Sequence, residues 1–523
     1  MSDEKSTEKL LAQVEKAREA LTDAARPAAV EKRRALGALT ARERLDQLLD
    51  KGSFKEVGGL VQPDRSNALS RDLQAPADGA VMGSAKIDGR DVCVLAQDYT
   101  VLGGSIGTVA DRKMGRLLDR AVDNGQPLVL LLEGGGHRIQ DGMNAAHFSA
   151  ASPVFNKLAR GSGWIPNVTA IMGQGFAGPT AYAAMADFVV MIKGQSTMGM
   201  AGPALVKAGT GEDIDAQALG GSERQADGSG IADLAVESEQ ECLAAITRFL
   251  SYLPANAGEA LPVLPCDDPC DRRAEDLMEL VSANGRKVYD MRKVIASISD
   301  ADSVFELKPS YATNMLTCFA RLNGSPVGFI ANQPMRKGGV MDAAACEKAA
   351  HFVALCDAFG LPLVSLIDIP GLAIGPVAED SGIGRRSGRL FYEMALATTP
   401  MVSVVLRKGY GGGYYAMGGG RSFNANAAFA WPGAEICAMS IEGAVDVAYR
   451  KQFEGSDDPA AQRQVLIDDI RDQTSALHAA SDFGIDDVID PRDTRKVLID
   501  TFASCAPRRP DMSPPRRRSI SPI

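Results

Sequence analysis

Long apolar runs are missing from the 523-residue sequence. None approaches the roughly 18–20 residues of a membrane span, and the start, MSDEKSTEK, has no secretory apolar region. A cytoplasmic protein is expected. Basic residues are not in excess either: 56 Lys and Arg against 66 Asp and Glu leave a net charge of −10, which argues against nucleic acid or an anionic membrane as the main partner. Close cysteine pairs are also lacking. The nine cysteines are scattered, mostly inside apolar runs, and their odd number argues against a disulfide framework. The nearest pair, Cys266-x3-Cys270, has no second pair and no histidine beside it, so no metal site is expected. What remains is ordinary globular material, 45% hydrophobic and 23% charged, and the length suggests two domains.

The stretch that organises the chain is IMGQGFAGPTAYAAMAD, Ile171 to Asp187. The apolar run Val168 to Met172 reads as a buried strand, Gly173 to Gly178 as a glycine-rich turn, and Pro179 as the opening of a small-residue helix. Proline suits a first helical position, because that turn leaves its amides without intrahelical partners and the ring presets φ. The amides of Ala177 and Gly178 are then expected at the positive end of a helix, aimed at an anion in the turn.

A second stretch has the same design: the apolar run Val402 to Leu406, the turn Gly411-Gly412-Gly413, then Tyr414-Tyr415-Ala416-Met417. Upstream of each lies another matched piece, GQPLVLLLEGGG at 125–136 and GLPLVSLIDIPG at 360–371. The interval from Pro127 to Pro362 equals that from Gly178 to Gly413. The chain reads as two copies of one unit, each with two glycine turns at the carboxyl ends of adjacent strands.

Thr40-Ala41-Arg42-Glu43 reads as a capping box at a helix start. VMGSAKIDGRDVCVLA (81–96) reads as two strands with Asp88-Gly89 as hairpin turn. A helix follows QDYTVLGGS, and Arg112 and Lys113 in its first half are either phosphate ligands or a solvated charge pair. The proline- and aspartate-rich segment near 256–275 reads as a linker, Pro459 to Ala479 as one long polar helix, and 511–523 as a flexible tail.

Two other motifs compete. Gly173-x-Gly175-x-x-Gly178 matches a dinucleotide fingerprint, but the acidic residue expected about 20 positions on is absent, since the strand FVVMIK ends at Lys193. Gly103-x-Ser105-x-Gly107 matches a nucleophile elbow. The only histidines late enough for a triad, His351 and His478, both lie in helical patterns. Neither motif explains the duplication.

These segments, together with GGGHRIQDG (134–142), ALGGSERQADGSGIAD (218–233), GFIANQP (328–334) and RKGYGGGYYAM (407–417), resemble the carboxyltransferase (beta) subunits of biotin-dependent acyl-CoA carboxylases of the propionyl-CoA and methylcrotonyl-CoA type. The resemblance runs from about Lys32 to Pro510. It implies an α/β fold of two tandem crotonase-like domains. Residues 1–255 would form the acyl-CoA side and 276–510 the biotin side, in a hexamer whose sites lie between the N-half of one chain and the C-half of another. It further implies that Gly136, Ala177 and Gly178 hold a thioester enolate, that Gly371, Leu372, Gly412 and Gly413 hold biotin, and that Gly104, Lys113, His137 and Tyr415 contact the acyl-CoA. Two facing sets of amides suit a reaction with two developing oxyanions.

No glycine-rich ATP-binding unit and no Met-Lys-Met biotinylation site are present, so a separate biotin carboxylase and biotin carrier are expected as partners. His137 replaces an alanine usual in the family, and Tyr415 stands where propionyl-type members carry an acidic residue. Both departures bear on which acyl group is used. A biotin-dependent decarboxylase subunit and a non-catalytic scaffold are the alternative readings.

Overall fold

In a computed structural model of the chain, residues 2–282, 284–285, 287–423, 425–508 and 518–521 are described. They form two compact units, Met1–Glu259 and Ala260–Ser521. Among them no helix is long and apolar enough to cross a membrane.

The first unit is built on a seven-stranded sheet. Lys55–Glu56, Ala80–Ile87 and Arg90–Gln97 pair antiparallel; Leu128–Leu132, Asn167–Ile171, Phe188–Ile192 and Leu234–Val236 follow in parallel. The first three of these parallel strands read LVLLL, NVTAI and FVVMI and are buried along their whole length. That is the pattern of strands covered on both faces. The hairpin turns at Asp88 and Gly89, both at positive φ, as a two-residue turn between right-twisted strands requires. The capping box is present: the Thr40 side chain accepts from the Glu43 amide, and the Glu43 carboxylate accepts from the Thr40 amide.

The second unit repeats this plan. Phe305–Leu307, Met315–Leu322 and Ser325–Asn332 are antiparallel, and Leu363–Ile369, Met401–Tyr410, Ala427–Ala430 and Asp487–Val488 continue in parallel. The interval between the two prolines recurs between the strand starts Ala80 and Met315, Arg90 and Ser325, and Leu128 and Leu363. It recurs again between the starts of the crossover helices Thr108–Asn124 and Ala343–Phe359. Both helices stop at a left-handed glycine, Gly125 and Gly360, where a side chain would be strained.

The offset reaches buried polar groups as well. Lys113 Nζ donates to the carbonyls of Ala77 and Ala80, both at 2.8 Å. Its counterpart Lys348 donates to the carbonyls of Lys308, Tyr311 and Met315 at 2.7–2.8 Å. In each unit the ammonium ties a loop of positive-φ residues, Ala77 and Asp78 or Lys308 and Ala312, to the strand that follows.

Four local features differ from the sequence expectation. The turn Gly173 to Gly178 contains a short strand, Gln174–Phe176, paired with Thr197–Gly199. The polar helix breaks into Pro459–Gln473 and Ala476–Ser481, because the Ser475 hydroxyl caps a new helix start at the His478 amide. The segment 256–275 is no free linker: from Ala260 onward it packs on the second unit, where Arg321 donates to the Pro262 carbonyl at 2.7 Å and Arg495 donates to the Pro269 carbonyl at 3.1 Å. Most of the expected tail, 511–517 and 522–523, lies outside the described residues, but 518–521 is held in place. Arg518 bonds the carboxylates of Asp357 and Glu393, and Ile520 is buried.

Candidate active site

In the first unit the strand Leu128–Leu132 leads into Glu133, whose buried carboxylate anchors the base of a glycine turn. Arg33 reaches it at 2.7 and 2.8 Å, and Arg44 bridges it at 2.5 Å to Glu239 at 2.7 Å. The Gln97 side chain accepts from the Glu133 amide at 2.7 Å. A buried pair of this kind is costly unless its groups are matched; here four side chains pair with one another, and Arg33 Nε is left without a partner among the described residues.

The chain then turns through Gly134, Gly135 and Gly136. Ile106 is bonded on both sides of His137: its amide donates to the Gly136 carbonyl, and its carbonyl accepts from the Arg138 amide, each at 2.8 Å. Arg138 is buried and pins the turn through Asp78 at 2.6 Å and the Ser105 hydroxyl at 3.3 Å.

The second turn of this unit comes up beside the first. Ala177 precedes the helix Gly178–Ala183 with φ 62° and ψ −112°, a region that glycine occupies freely and alanine does not. The Thr180 hydroxyl lies 2.7 Å from the Gly175 carbonyl and accepts from the Gly199 amide at 2.8 Å, which locks this corner. A Cβ built on Gly136 would stand 3.0 Å from the Ala177 methyl and 3.4 Å from the Gly178 nitrogen. The two glycine turns therefore meet at Gly136 and Gly178, and the amides of both residues have no protein acceptor among the described residues.

Three expectations for this unit are corrected. Ala177 lies at the junction, but its amide donates to the Gly199 carbonyl at 2.8 Å and is already spent on the strand pairing. Lys113 is buried, its ammonium is bound to the two carbonyls named above, and burial lowers its pKa to about 8; its ammonium holds a loop. Gly104 is likewise buried. A Cβ there would lie 2.0 Å from the Glu133 carbonyl oxygen, so it serves close packing of the loop against the strand end.

His137 does sit beside the junction. Its ring meets Phe148 edge-on at 5.6 Å, and its buried Nε2 has no hydrogen-bond partner among the described residues.

The second unit places its predicted residues in the same way. The Met341 amide donates to the Gly371 carbonyl at 3.2 Å, and the Ala373 amide donates to the Met341 carbonyl at 2.8 Å. This is the Ile106 bridge of the first unit made again, with Leu372 at the position of His137. A Cβ on Gly413 would lie 2.5 Å from Ile369 Cδ1 and 3.1 Å from the Gly371 carbonyl carbon; one on Gly412 would lie 3.5 Å from Leu372 Cδ1. The amides of Gly412 and Gly413 are in the first turn of the helix Gly411–Ala416 and have no protein acceptor among the described residues. Here the positive φ falls on Gly411 and no strand pairing consumes the next amide. Tyr415 is 54% exposed on this unit, its ring 5.6 Å from that of Tyr414.

Sequence reasoning missed the anchors. Arg138, Asp78 and Glu133 come from distant positions and carry no local pattern. Only the repeat offset points to Asp368, the counterpart of Glu133, which Arg407 and the Tyr289 hydroxyl hold at 2.8 and 3.0 Å.

The chain is similar to known proteins over most of its length. The chain is 38% identical over 465 residues to the propionyl-CoA carboxylase carboxyltransferase subunit of Haloferax mediterranei, covering 88% of this chain and 89% of that protein. It is 36% identical over 474 residues to the methylmalonyl-CoA decarboxylase subunit alpha of Propionigenium modestum, covering 90% and 91%. Its fold matches the crystal structure of the transcarboxylase 12S hexamer with methylmalonyl-CoA bound, at a TM-score of 0.91 and 37% identity over 98% of both chains. The two tandem crotonase-like α/β domains expected from the sequence are the fold found. A family model for the carboxyl transferase domain matches residues 32–520, and the chain belongs to that family.

Proposed function

We propose that the protein is the carboxyltransferase subunit of a biotin-dependent acyl-CoA carboxylase, moving a carboxyl group from carboxybiotin to the α-carbon of a short acyl-CoA. The observation that carries this reading is the junction of paired glycine turns with unspent amides, Gly136 with Gly178 and Gly371 with Gly412 and Gly413, built twice at one offset.

In the first unit the amides of Gly136 and Gly178 receive the thioester oxygen and stabilise it as it gains charge. Losing one such donor typically costs ~10²–10³ in rate. In the second unit the residues fit biotin. The Gly413 position leaves no room for a Cβ, the Leu372 side chain adds an apolar wall, and the Gly412 and Gly413 amides suit a ureido oxygen. When bound, carboxybiotin supplies the carboxyl group. His137, with Nε2 unpaired beside Gly136, contacts the acyl-CoA.

The subunit works with a separate biotin carboxylase and biotin carrier and assembles as a homohexamer, a reading supported by the transcarboxylase 12S hexamer. Free cysteines throughout support a cytoplasmic setting. A second reading, an acyl-CoA decarboxylase subunit with the same site, is favoured by the relative from Propionigenium modestum.

Incubation with a biotin carrier charged beforehand from labelled bicarbonate, and with a panel of short acyl-CoAs, tests the proposal. Label in an acyl-CoA is the expected result, and no fixation with any ester would refute it. Release of CO2 from the malonyl-type esters, only in the presence of a membrane-embedded partner, would select the second reading.

A further inference from the structure

Tyr182 has no part in the mechanism above, yet it adjoins the Gly136–Gly178 junction. It lies four residues beyond Gly178 on the same helix, and helical side chains lean back over the N-terminal turn. A Cβ built on Gly178 would lie 3.8 Å from Tyr182 Oη and 3.5 Å from Ile106 Cδ1. The tyrosine is only 6% exposed. It is packed against Phe155 with ring centroids 5.5 Å apart, and it lines a small cavity with Ile106, Ala110, Met114 and Leu132. A phenol buried to this degree normally has a hydrogen-bond partner. Among the described residues Tyr182 Oη has none, and the oxygen is not fully shielded, so it borders accessible space.

We propose that Tyr182 is a substrate-contacting residue of this site, its hydroxyl donating a hydrogen bond to the thioester oxygen of the acyl-CoA beside the Gly136 and Gly178 amides. The inference rests on the acyl-CoA reading of that junction. Ile106, Gly178 and Tyr182 form one contiguous wall, and along it the Tyr182 hydroxyl lies beside the free Gly178 amide. Burial raises the phenol pKa above its ordinary value, so Tyr182 remains a neutral donor over the working pH range. A donor fixed before the reaction begins stabilises developing negative charge without reorganisation.

The test uses the full chain and propionyl-CoA carrying a 13C thioester carbonyl. In the wild type the infrared band of the bound carbonyl is expected below that of the free ester. In Tyr182→Phe the displacement shrinks and kcat with free carboxybiotin falls about 10-fold or more, while KM and the melting temperature hold. A merely structural tyrosine would lower the melting temperature and leave the band of bound ester in place, and that result overturns the inference. A band and kcat both unchanged in Tyr182→Phe overturn it too. If the wild type binds neither propionyl-CoA nor any other short ester, the acyl-CoA reading itself falls and takes the inference with it.

Discussion

Alanine at position 177 is held where glycine belongs, and replacing it measures what the junction costs the fold. At φ 62° and ψ −112° the alanine stores about 1–3 kcal/mol of backbone strain. Ala177→Gly releases that strain. Against the gain stand about 0.4–1 kcal/mol from the freer unfolded chain and at most about 0.8 kcal/mol for one half-buried methyl. The balance is a stabilisation of about 1 kcal/mol, which for a unit of this size raises its melting temperature by roughly 2–4 °C. Activity is expected to move the other way. The methyl lies 3.0 Å from where a Cβ on Gly136 would be, so it keeps the two turns in register. Without it the Gly178 amide is less fixed, and kcat falls about 10-fold. Differential scanning calorimetry and carboxyl-transfer kinetics on the same preparation read both effects. A variant that melts several degrees lower would refute strain at this position, and unchanged kcat would refute the role of the methyl.

Three further outcomes rest on the packing. Gly413→Ala drives a methyl to within 2.5 Å of Ile369 Cδ1; transfer from carboxybiotin is expected to fall by ~10²-fold, while calorimetric affinity for acyl-CoA stays unchanged. Lys113→Met leaves the Ala77 and Ala80 carbonyls buried without their donor and destabilises the first unit by about 2–5 kcal/mol in urea titration, whereas acyl-CoA affinity holds because the ammonium is spent on those carbonyls. His351 is buried, and that burial, aided by Lys308 and Arg389, lowers its pKa to about 3. Between pH 3 and its unfolded value near 6.5 the unfolded chain binds the extra proton, so stability is lost as pH falls through 6.5, by about 2 kcal/mol at pH 5. Unfolding of His351→Leu should lack that acid limb, and an unaltered limb would place the titration elsewhere.

The repeat was legible because it was written in prolines and turn glycines, residue types whose backbone demands show directly in a sequence. The same offset then governed residues that no local pattern singles out: Gln97 with Asn332, Glu133 with Asp368, Lys113 with Lys348. What the sequence hid was where each hydrogen bond goes. Ala177 and Gly412 occupy equivalent positions at the starts of matching helices, yet only the first loses its amide, because Gly199 comes back beside it at the end of a later strand. Lys113 sits in a helix beside Arg112, and an exposed charge pair and a buried ammonium have the same letters; the carbonyls it binds, those of Ala77 and Ala80, lie before the hairpin and at its first residue. Tyr182 was passed over for a similar reason, since an unpaired hydroxyl is a property of its surroundings and not of its neighbours in sequence.

The two lysines at the heads of the crossover helices perform a task that calcium carries out in many extracellular domains, gathering main-chain oxygens from a loop of awkward conformation around one positive centre. Here the cation is covalently part of the polypeptide. It cannot be chelated, exchanged or diluted away, so the shape of both loops is independent of ion supply and EDTA should leave each half as well folded as before.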